Sequence, residues 1–195
     1  MNKIYMVRHA ESTYSPDEYG RGLTERGKRD AERITEALLP FDIDLVISSP
    51  YKRAMDTVNG IAKAKNLQVL LDERFRERVL AGDAVEDFHT AIKAVWDDPL
   101  FSHPGGESNR EAAERGILAL NDVLVTYHNK RNIVIGTHGN LMALIMQHYD
   151  ARYDYLFWKN ELKMPDIYVL TFEKQKCLDI CHVSWDAKLP NYDEK

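Results

Sequence analysis

The stretch YMVRHAES, residues 5–12, places an arginine and a histidine directly after an apolar run. That run, KIYMV at residues 3–7, has the length and character of a buried strand. Arg8 and His9 therefore stand where the first strand of the chain ends. A strand that simply reaches the protein surface also ends in polar residues, so the rest of the chain must decide what the pair is for.

The composition is that of one globular domain without a general positive charge. The chain has 195 residues, 44% of them hydrophobic and 29% charged, and its formal net charge is −5. Such a chain buries a core of ordinary size, and neither nucleic acid nor an anionic membrane is expected as a partner. No apolar run reaches the roughly 18 residues of a membrane span, and the first residues do not resemble a signal peptide. The sequence therefore predicts a cytoplasmic protein, in which the positive charge for any anionic ligand is local.

The two cysteines, Cys177 and Cys181, are separated by three residues and followed by His182. Structural zinc sites usually take four ligands, and no second pair of ligands is visible in the sequence. On a strand the two cysteines would share one face with Asp179, as ordinary packing residues do. We expect no metal ion and no other cofactor.

Apolar runs alternate with helical patterns through most of the chain. Buried strands are predicted at residues 3–7, 44–49, 67–71 and 132–137. Helices are predicted at residues 24–39, from the pair Ser49-Pro50 to 65, at 108–128 and at 141–149, with Thr24 and Ser108 as N-caps. Two late strands predict an antiparallel hairpin, and residues 82–106 are the least regular segment. The pattern predicts an α/β fold in one domain, residues 1–195: a three-layer α/β/α sandwich with a mostly parallel sheet, helices on both faces, a C-terminal hairpin and a small cap at 82–106.

Polar pairs follow three of the predicted strands: Arg8 with His9, Ser48 with Ser49, and Thr137 with His138. In parallel α/β sheets, ligands bind beyond the carboxyl ends of the strands. We therefore expect these pairs to meet at one edge of the sheet. Gly27 lies in the first turn of a predicted helix, where glycine costs about 1 kcal/mol relative to alanine, which indicates close approach of another backbone.

Six segments resemble the motifs of one protein family and occur in its order, from about residue 4 to residue 183. They are VRHAES, LTERGKRDA, SSPYKRAMDT, FRER, PGGES and IGTHGN. Together they resemble the histidine phosphatase superfamily, whose fold is that of phosphoglycerate mutase. Two positions depart from its usual pattern: Ala10 replaces a glycine, and Gly22 replaces a proline that is frequent in the family.

The resemblance implies phosphoryl transfer. This reaction requires the attacking and leaving groups to lie in line, with cations close to the phosphate oxygens. It makes His9 the nucleophile, and it makes Arg8, Arg53 and His138 catalytic groups that also bind the phosphate. Backbone N–H groups of Gly139 and Asn140 are expected to add to the anion pocket. Ser15, where many relatives have asparagine, is the remaining candidate phosphate ligand.

A carboxylic acid is expected opposite His9, because the leaving oxygen needs a proton. Both Glu73 and Glu77 lie in the right segment, LDERFRERVLAG. The family places its acid in a short turn before a glycine, which favours Glu77 and leaves Glu73 as the alternative. Glu11 and Thr24 are expected to have structural roles, Glu11 by holding Arg8 or a loop N–H and Thr24 as a helix cap.

The resemblance therefore predicts a metal-independent phosphomonoesterase, which acts on a small phosphorylated metabolite through a phosphohistidine intermediate. A cofactor-dependent phosphoglycerate mutase and a non-catalytic phospho-ligand module are the alternatives. The cap at 82–106 contains one basic side chain, Lys93, among five acidic ones, which disfavours a bisphosphate. The substrate is left open, with the segments 14–22 and 82–106 expected to line an outer pocket through Tyr19, Phe88, Trp96 and Phe101. The oligomeric state is also left open, a homodimer included.

Overall fold

The computed structural model describes residues 1–186, so residues 187–195 of the predicted domain lie outside it. Six strands form one sheet in the order β3-β2-β4-β1-β5-β6. They are β1 Asn2–Arg8, β2 Leu45–Ser48, β3 Val69–Leu71, β4 Asn132–Thr137, β5 Asp166–Glu173 and β6 Lys176–His182. The first four are parallel to one another, whereas β5 and β6 form an antiparallel hairpin beside β1. The predicted fold class and hairpin are confirmed.

Helices cover both faces of the sheet. They are α1 Glu25–Leu38, α2 Lys52–Ala64, α3 Phe88–Asp97, α4 Asn109–Thr126, α5 Gly139–Tyr149 and α6 Tyr155–Asn160. Apolar side chains of α1 and α2 pack on one face, and those of α4, α5 and α6 pack on the other. Within residues 1–186, none of these helices combines the length and apolar character needed to cross a bilayer.

Strand β1 carries the first motif through the middle of the core. Its side chains alternate, so Ile4 and Met6 pack toward α4 and α5 while Tyr5 and Val7 pack toward α1 and α2. All four are buried. A strand covered on both faces must be apolar along its whole length, which explains the unbroken run before Arg8.

Two predicted helix caps and one predicted close contact are confirmed. The Thr24 hydroxyl accepts the N–H of Gly27 at 3.0 Å, and Ser108 forms a reciprocal capping box with Glu111. A Cβ atom on Gly27 would lie 2.0 Å from the carbonyl oxygen of Glu11. Only glycine therefore fits at this position, where α1 begins against the loop that follows β1.

Two local predictions were wrong. Helix α2 begins at Lys52 with Tyr51 as its N-cap, and not with Ser49 as cap and Pro50 as the first helical residue. The hydroxyl of Ser49 instead contacts His138 at the edge of the sheet. The segment 82–106 is also more regular than predicted, because it contains α3, a ten-residue helix capped by Asp87.

Candidate active site

The polar strand ends meet because β4 lies between β1 and β2. Arg8 is paired with Thr137 and Ser48 with Gly136. The ladder continues one residue further on each side, where the N–H of His9 donates to Thr137 at 3.0 Å and that of Ser49 donates to Gly136 at 2.9 Å. The expected clustering at one edge is therefore observed.

His9 is held in one tautomer. Its Nδ1 lies 2.7 Å from the carbonyl oxygen of Ala10, which can only accept, so Nδ1 carries the ring hydrogen. Nε2 accepts a hydrogen bond from Nε of Arg53 at 3.3 Å. The lone pair of Nε2 is therefore free of a proton and lies beside a guanidinium.

Burial and nearby cations keep His9 neutral. The side chain is 7% exposed. Burial chiefly, together with the charges of Arg53, Arg8 and Arg21, lowers the pKa of His9 to about 3, against the opposing effect of the Ala10 hydrogen bond. A neutral imidazole is the nucleophilic form, so this environment keeps the ring reactive at neutral pH.

Arg53 is fixed by a residue that sequence reasoning missed. Its side chain is 1% exposed, and its two terminal nitrogens donate to the carbonyl oxygen and the carboxylate of Glu18 at 2.8 and 2.9 Å. Arg21, also missed, lies 3.4 Å from the same carboxylate. The loop before α1 thus contributes an acid and a third arginine to the site.

Arg8 is oriented by main-chain oxygens beyond α6. Its Nη1 donates to Leu162 at 2.8 Å and to Lys163 at 3.2 Å. The turn that carries them is held by the buried carboxylate of Asp166, which accepts the N–H of Lys163 at 2.9 Å and lies 2.7 Å from Nε2 of His182. A Cβ atom on Gly139 would lie 2.6 Å from Nε of Arg8, so glycine makes room for the arginine there.

His138 is buried beside His9, with ring centroids 5.2 Å apart. Its Nε2 lies 2.8 Å from the hydroxyl oxygen of Ser49, which already accepts the N–H of Tyr51. The Ser49 hydroxyl can donate its hydrogen to Nε2, and in that arrangement the ring hydrogen of His138 is on Nδ1. Burial chiefly, together with His9 and the arginines, lowers the pKa of His138 well below its usual value. Within the described residues Nδ1 has no hydrogen-bond partner, so it can donate to a ligand.

Glu77 lies at the N-terminus of α5. One oxygen accepts the N–H of Asn140 at 3.0 Å, and the other accepts those of Leu141 at 3.0 Å and Arg78 at 2.9 Å. The expectation that the Asn140 N–H binds phosphate is therefore wrong, because Glu77 already uses it. The Gly139 N–H has no acceptor among residues 1–186 and stays a candidate donor.

The alternative acid, Glu73, has a different setting. It is exposed, accepts a hydrogen bond from the hydroxyl of Tyr19 and lies 3.7 Å from Arg76. By contrast, Glu77 acts on the pKa values of both Arg8 and Arg53. The geometry thus favours Glu77 over Glu73, because Glu77 lies close to Arg8 and Arg53 and beside the segment that carries His138.

Four further predicted residues have identifiable contacts. The Ser15 hydroxyl accepts the N–H of Asp17 at 3.1 Å within its own loop, and its phosphate contact stays a prediction. Glu11 is structural as expected, but its partner is the hydroxyl of Thr24 at 2.8 Å rather than Arg8. Of the predicted pocket aromatics, Phe88 lines a cavity beside Glu77, whereas Trp96 packs near Trp158 in the core.

The cysteine segment lies away from the strand ends, on the edge strand β6. Cys181 donates to the carboxylate of Asp179 at 2.9 Å, and His182 is engaged by Asp166. In the part of the chain that the structure describes, no three His, Cys, Asp or Glu side chains are grouped to hold a metal ion.

Comparison with known proteins identifies the family to which this site belongs. The profile of the histidine phosphatase superfamily, branch 1, matches residues 4–180. The chain belongs to the histidine phosphatase superfamily. A phosphoserine phosphatase of Hydrogenobacter thermophilus is 30% identical over 148 residues, which are 69% of this chain and 70% of that protein. A probable phosphoglycerate mutase of Proteus mirabilis is 29% identical over 160 residues, 75% of this chain and 74% of that protein.

The fold of this histidine phosphatase is also that of solved family structures. The structure of a mycobacterial glucosyl-3-phosphoglycerate phosphatase with inorganic phosphate has a TM-score of 0.75 to it. The match covers 96% of this chain and 98% of that one at 20% identity. The family profile and the phosphatase relative show that the chain is an enzyme of the phosphatase type. Its structure gathers His9, Arg53 and His138 at one site, next to Arg8.

Proposed function

We propose that this histidine phosphatase is a metal-independent phosphomonoesterase that hydrolyses a small phosphate ester through a phosphohistidine at Nε2 of His9. The observation that carries the proposal is the hydrogen bond from Nε of Arg53 to Nε2 of His9, at 3.3 Å. It supports the proposal because the unprotonated Nε2 of His9 lies beside a cation suited to phosphate oxygens. Phosphatase relatives support the same reading.

The chemistry follows from the positions of the side chains. Nε2 of His9 attacks phosphorus, and the bond between phosphorus and the ester oxygen breaks while Glu77 gives that oxygen a proton. Water then attacks the phosphohistidine, Glu77 takes a proton from it, and inorganic phosphate leaves. Arg8, Arg53 and Nδ1–H of His138 bind the phosphate oxygens, and the Gly139 N–H adds a fourth donor.

Hydrolysis is favoured over mutase chemistry by the charge of the cap. A mutase must retain a bisphosphate, which needs additional cations around the site. Lys93, the only lysine or arginine within residues 82–106, is 2.6 Å from Asp97 and thus already paired. The acidic cap therefore disfavours a bisphosphate through like-charge repulsion. The phosphohistidine step, the small-metabolite substrate and the cytoplasmic location stay predictions.

The test of the nucleophile is a labelling experiment. Brief incubation of the purified protein with a ³²P-labelled monoester found in a metabolite screen, quenched without acid, should leave label on His9. His9→Ala should lose both the label and turnover, whereas the exposed control His128→Ala should keep both. Near-normal turnover in His9→Ala would show that another residue is the nucleophile.

The test of the reaction class compares two assays on the same protein. Free-phosphate release from monoesters should be measurable, and interconversion of 3- and 2-phosphoglycerate should be negligible with or without the bisphosphate primer. Mutase turnover well above phosphate release would replace the phosphatase proposal with the mutase one.

A further inference from the structure

Trp96 connects the cap to the first turn of α5. It lies in the last turn of α3, where its ring is half-buried against the core. Its indole Nε1–H donates to Oδ1 of Asn140 at 3.0 Å. Because an indole nitrogen can only donate, this contact fixes which end of the Asn140 amide faces Trp96.

The side chain of Asn140 has no second anchor among residues 1–186. It is 3% exposed, and its Nδ2 is enclosed without a hydrogen-bond partner. In the described part of the chain, Trp96 is therefore the one residue that orients this amide through a hydrogen bond.

The backbone at Asn140 holds the proposed acid. The N–H of Asn140 donates to Oε2 of Glu77 at 3.0 Å, and the N–H of Leu141 donates to Oε1 at the same distance. Asparagine side chains readily accept hydrogen bonds from backbone N–H groups that are close in sequence. An Asn140 oxygen released from Trp96 would therefore compete with Glu77 for these donors, or would stay buried and unpaired, which is unfavourable. Either outcome disturbs the turn that holds the acid.

We propose that Trp96 is a positioning residue for the general acid: by engaging Oδ1 of Asn140, it reserves the N–H groups at the start of α5 for Glu77. This rests on the phosphatase function proposed above, in which Glu77 protonates the leaving oxygen. Helix α3 thereby joins two parts of the site, because Phe88, its first residue, lines the cavity beside Glu77.

The test compares two aryl esters whose leaving oxygens differ in their need for a proton. Phenolate is a far more basic leaving group than p-nitrophenolate, so phenyl phosphate depends more on the acid than p-nitrophenyl phosphate does. Trp96→Phe keeps an aromatic ring and removes the N–H. In this variant kcat/KM for phenyl phosphate should fall by about tenfold, the effect of roughly one hydrogen bond, whereas kcat/KM for p-nitrophenyl phosphate should fall by less than about twofold. The matched control Trp158→Phe makes the same change in a neighbouring ring, with centroids 6.2 Å apart, and should keep the wild-type ratio.

A second substitution tests whether Trp96 acts through Asn140. In Trp96→Phe combined with Asn140→Ala, neither the donor nor the competing oxygen remains. Replacing both partners of a hydrogen bond is far less harmful than removing one of them. The double variant should therefore recover most of the lost activity towards phenyl phosphate. A double variant no better than Trp96→Phe, or equal losses for the two esters in Trp96→Phe, would overturn the proposal.

An NMR measurement needs no substitution at Trp96. The indole N–H signals of the three tryptophans can be assigned from spectra of Trp158→Phe and Trp185→Phe. In Glu77→Gln the signal of Trp96 should shift, because Asn140 links the two residues, and the other two signals should not. A Trp96 signal that stays in place would overturn the proposal, even where Trp96→Phe fails to fold. Failure of the proposed function is distinct, because the wild-type protein would then release no phosphate from either ester.

Discussion

Nε of Arg53 donates to Nε2 of His9, so the lone pair of the proposed nucleophile is in direct contact with a guanidinium. The other two nitrogens of the guanidinium are bound to Glu18. Arg53 therefore lowers the pKa of His9 and contacts its ring. We expect an incoming phosphoryl group to replace these contacts with its own oxygens.

Replacing Arg53 should reduce the rate strongly. Arg53→Ala removes a preorganised cation from the phosphate oxygens, and a loss on the order of 10²-fold in kcat is expected. Inhibition by vanadate should weaken in the same variant, because vanadate forms a pentacoordinate species like the transferring phosphorus. Lys52→Ala, at the neighbouring exposed position, is the control and should behave as wild type in both measurements.

Replacing Glu77 should affect substrates according to their leaving groups. Glu77→Gln cannot donate a carboxyl proton, so hydrolysis of an alkyl phosphate should fall by about 10²- to 10³-fold. Hydrolysis of p-nitrophenyl phosphate should fall much less, since nitrophenolate leaves without protonation. Glu73→Gln is the matched control. A larger loss in Glu73→Gln than in Glu77→Gln would reverse the assignment of the acid.

Activity should not depend on a metal ion. Arg8 and Arg53 supply the positive charge that a divalent cation provides in many phosphatases. We expect full activity after dialysis against EDTA. Activity that disappeared in EDTA and returned with magnesium would contradict this expectation.

The buried histidine should make the protein less stable in acid. The pKa of His9 is about 3 in the folded protein and near 6.5 when unfolded. Between these values the unfolded chain binds more protons, so the free energy of unfolding falls as the pH falls from 6.5 toward 3, by up to about 1.4 kcal/mol per pH unit. His9→Gln should flatten this part of the curve, as measured by urea unfolding at several pH values. Equal slopes in both proteins would refute the prediction.

Asp166 should act on the phosphate site through the orientation of Arg8. Asp166→Asn removes an acceptor from the turn whose carbonyl oxygens hold Arg8, so vanadate affinity should fall by about tenfold, the effect of losing roughly one hydrogen bond. Asp186→Asn is the control, because Asp186 contacts the side chain of Lys163 rather than its backbone. An unchanged vanadate affinity in Asp166→Asn would show that the turn is fixed by other contacts.

The sequence predicted those parts of the site that lie at strand ends. His9 and His138 follow apolar runs, and the rule for parallel sheets places such residues together. Glu18 was missed because its contact with Arg53 joins residues 35 apart through a loop without a pattern. Arg21 was missed for the same reason, because its contact is with Glu18 in that loop.

Helix α3 could have been recognised. Asp87 is a good N-cap, and Ala91, Ile92 and Val95 have helical spacing and are buried. The prolines and glycines on both sides made the whole segment 82–106 look irregular. Serine favours helix N-caps, but the hydroxyl of Ser49 contacts His138 instead. The two residues are far apart in sequence, so no local rule predicts this contact.

Strand β1 is paired on both edges and covered on both faces, and its hydrogen-bond ladder extends to the amide of His9. Amides in such a position exchange with solvent only when the whole domain opens. His9, the proposed nucleophile, is thus attached to a central strand of the sheet. Heating should therefore abolish catalysis and global structure in a single transition, without an earlier inactive state in which His9 alone has come loose.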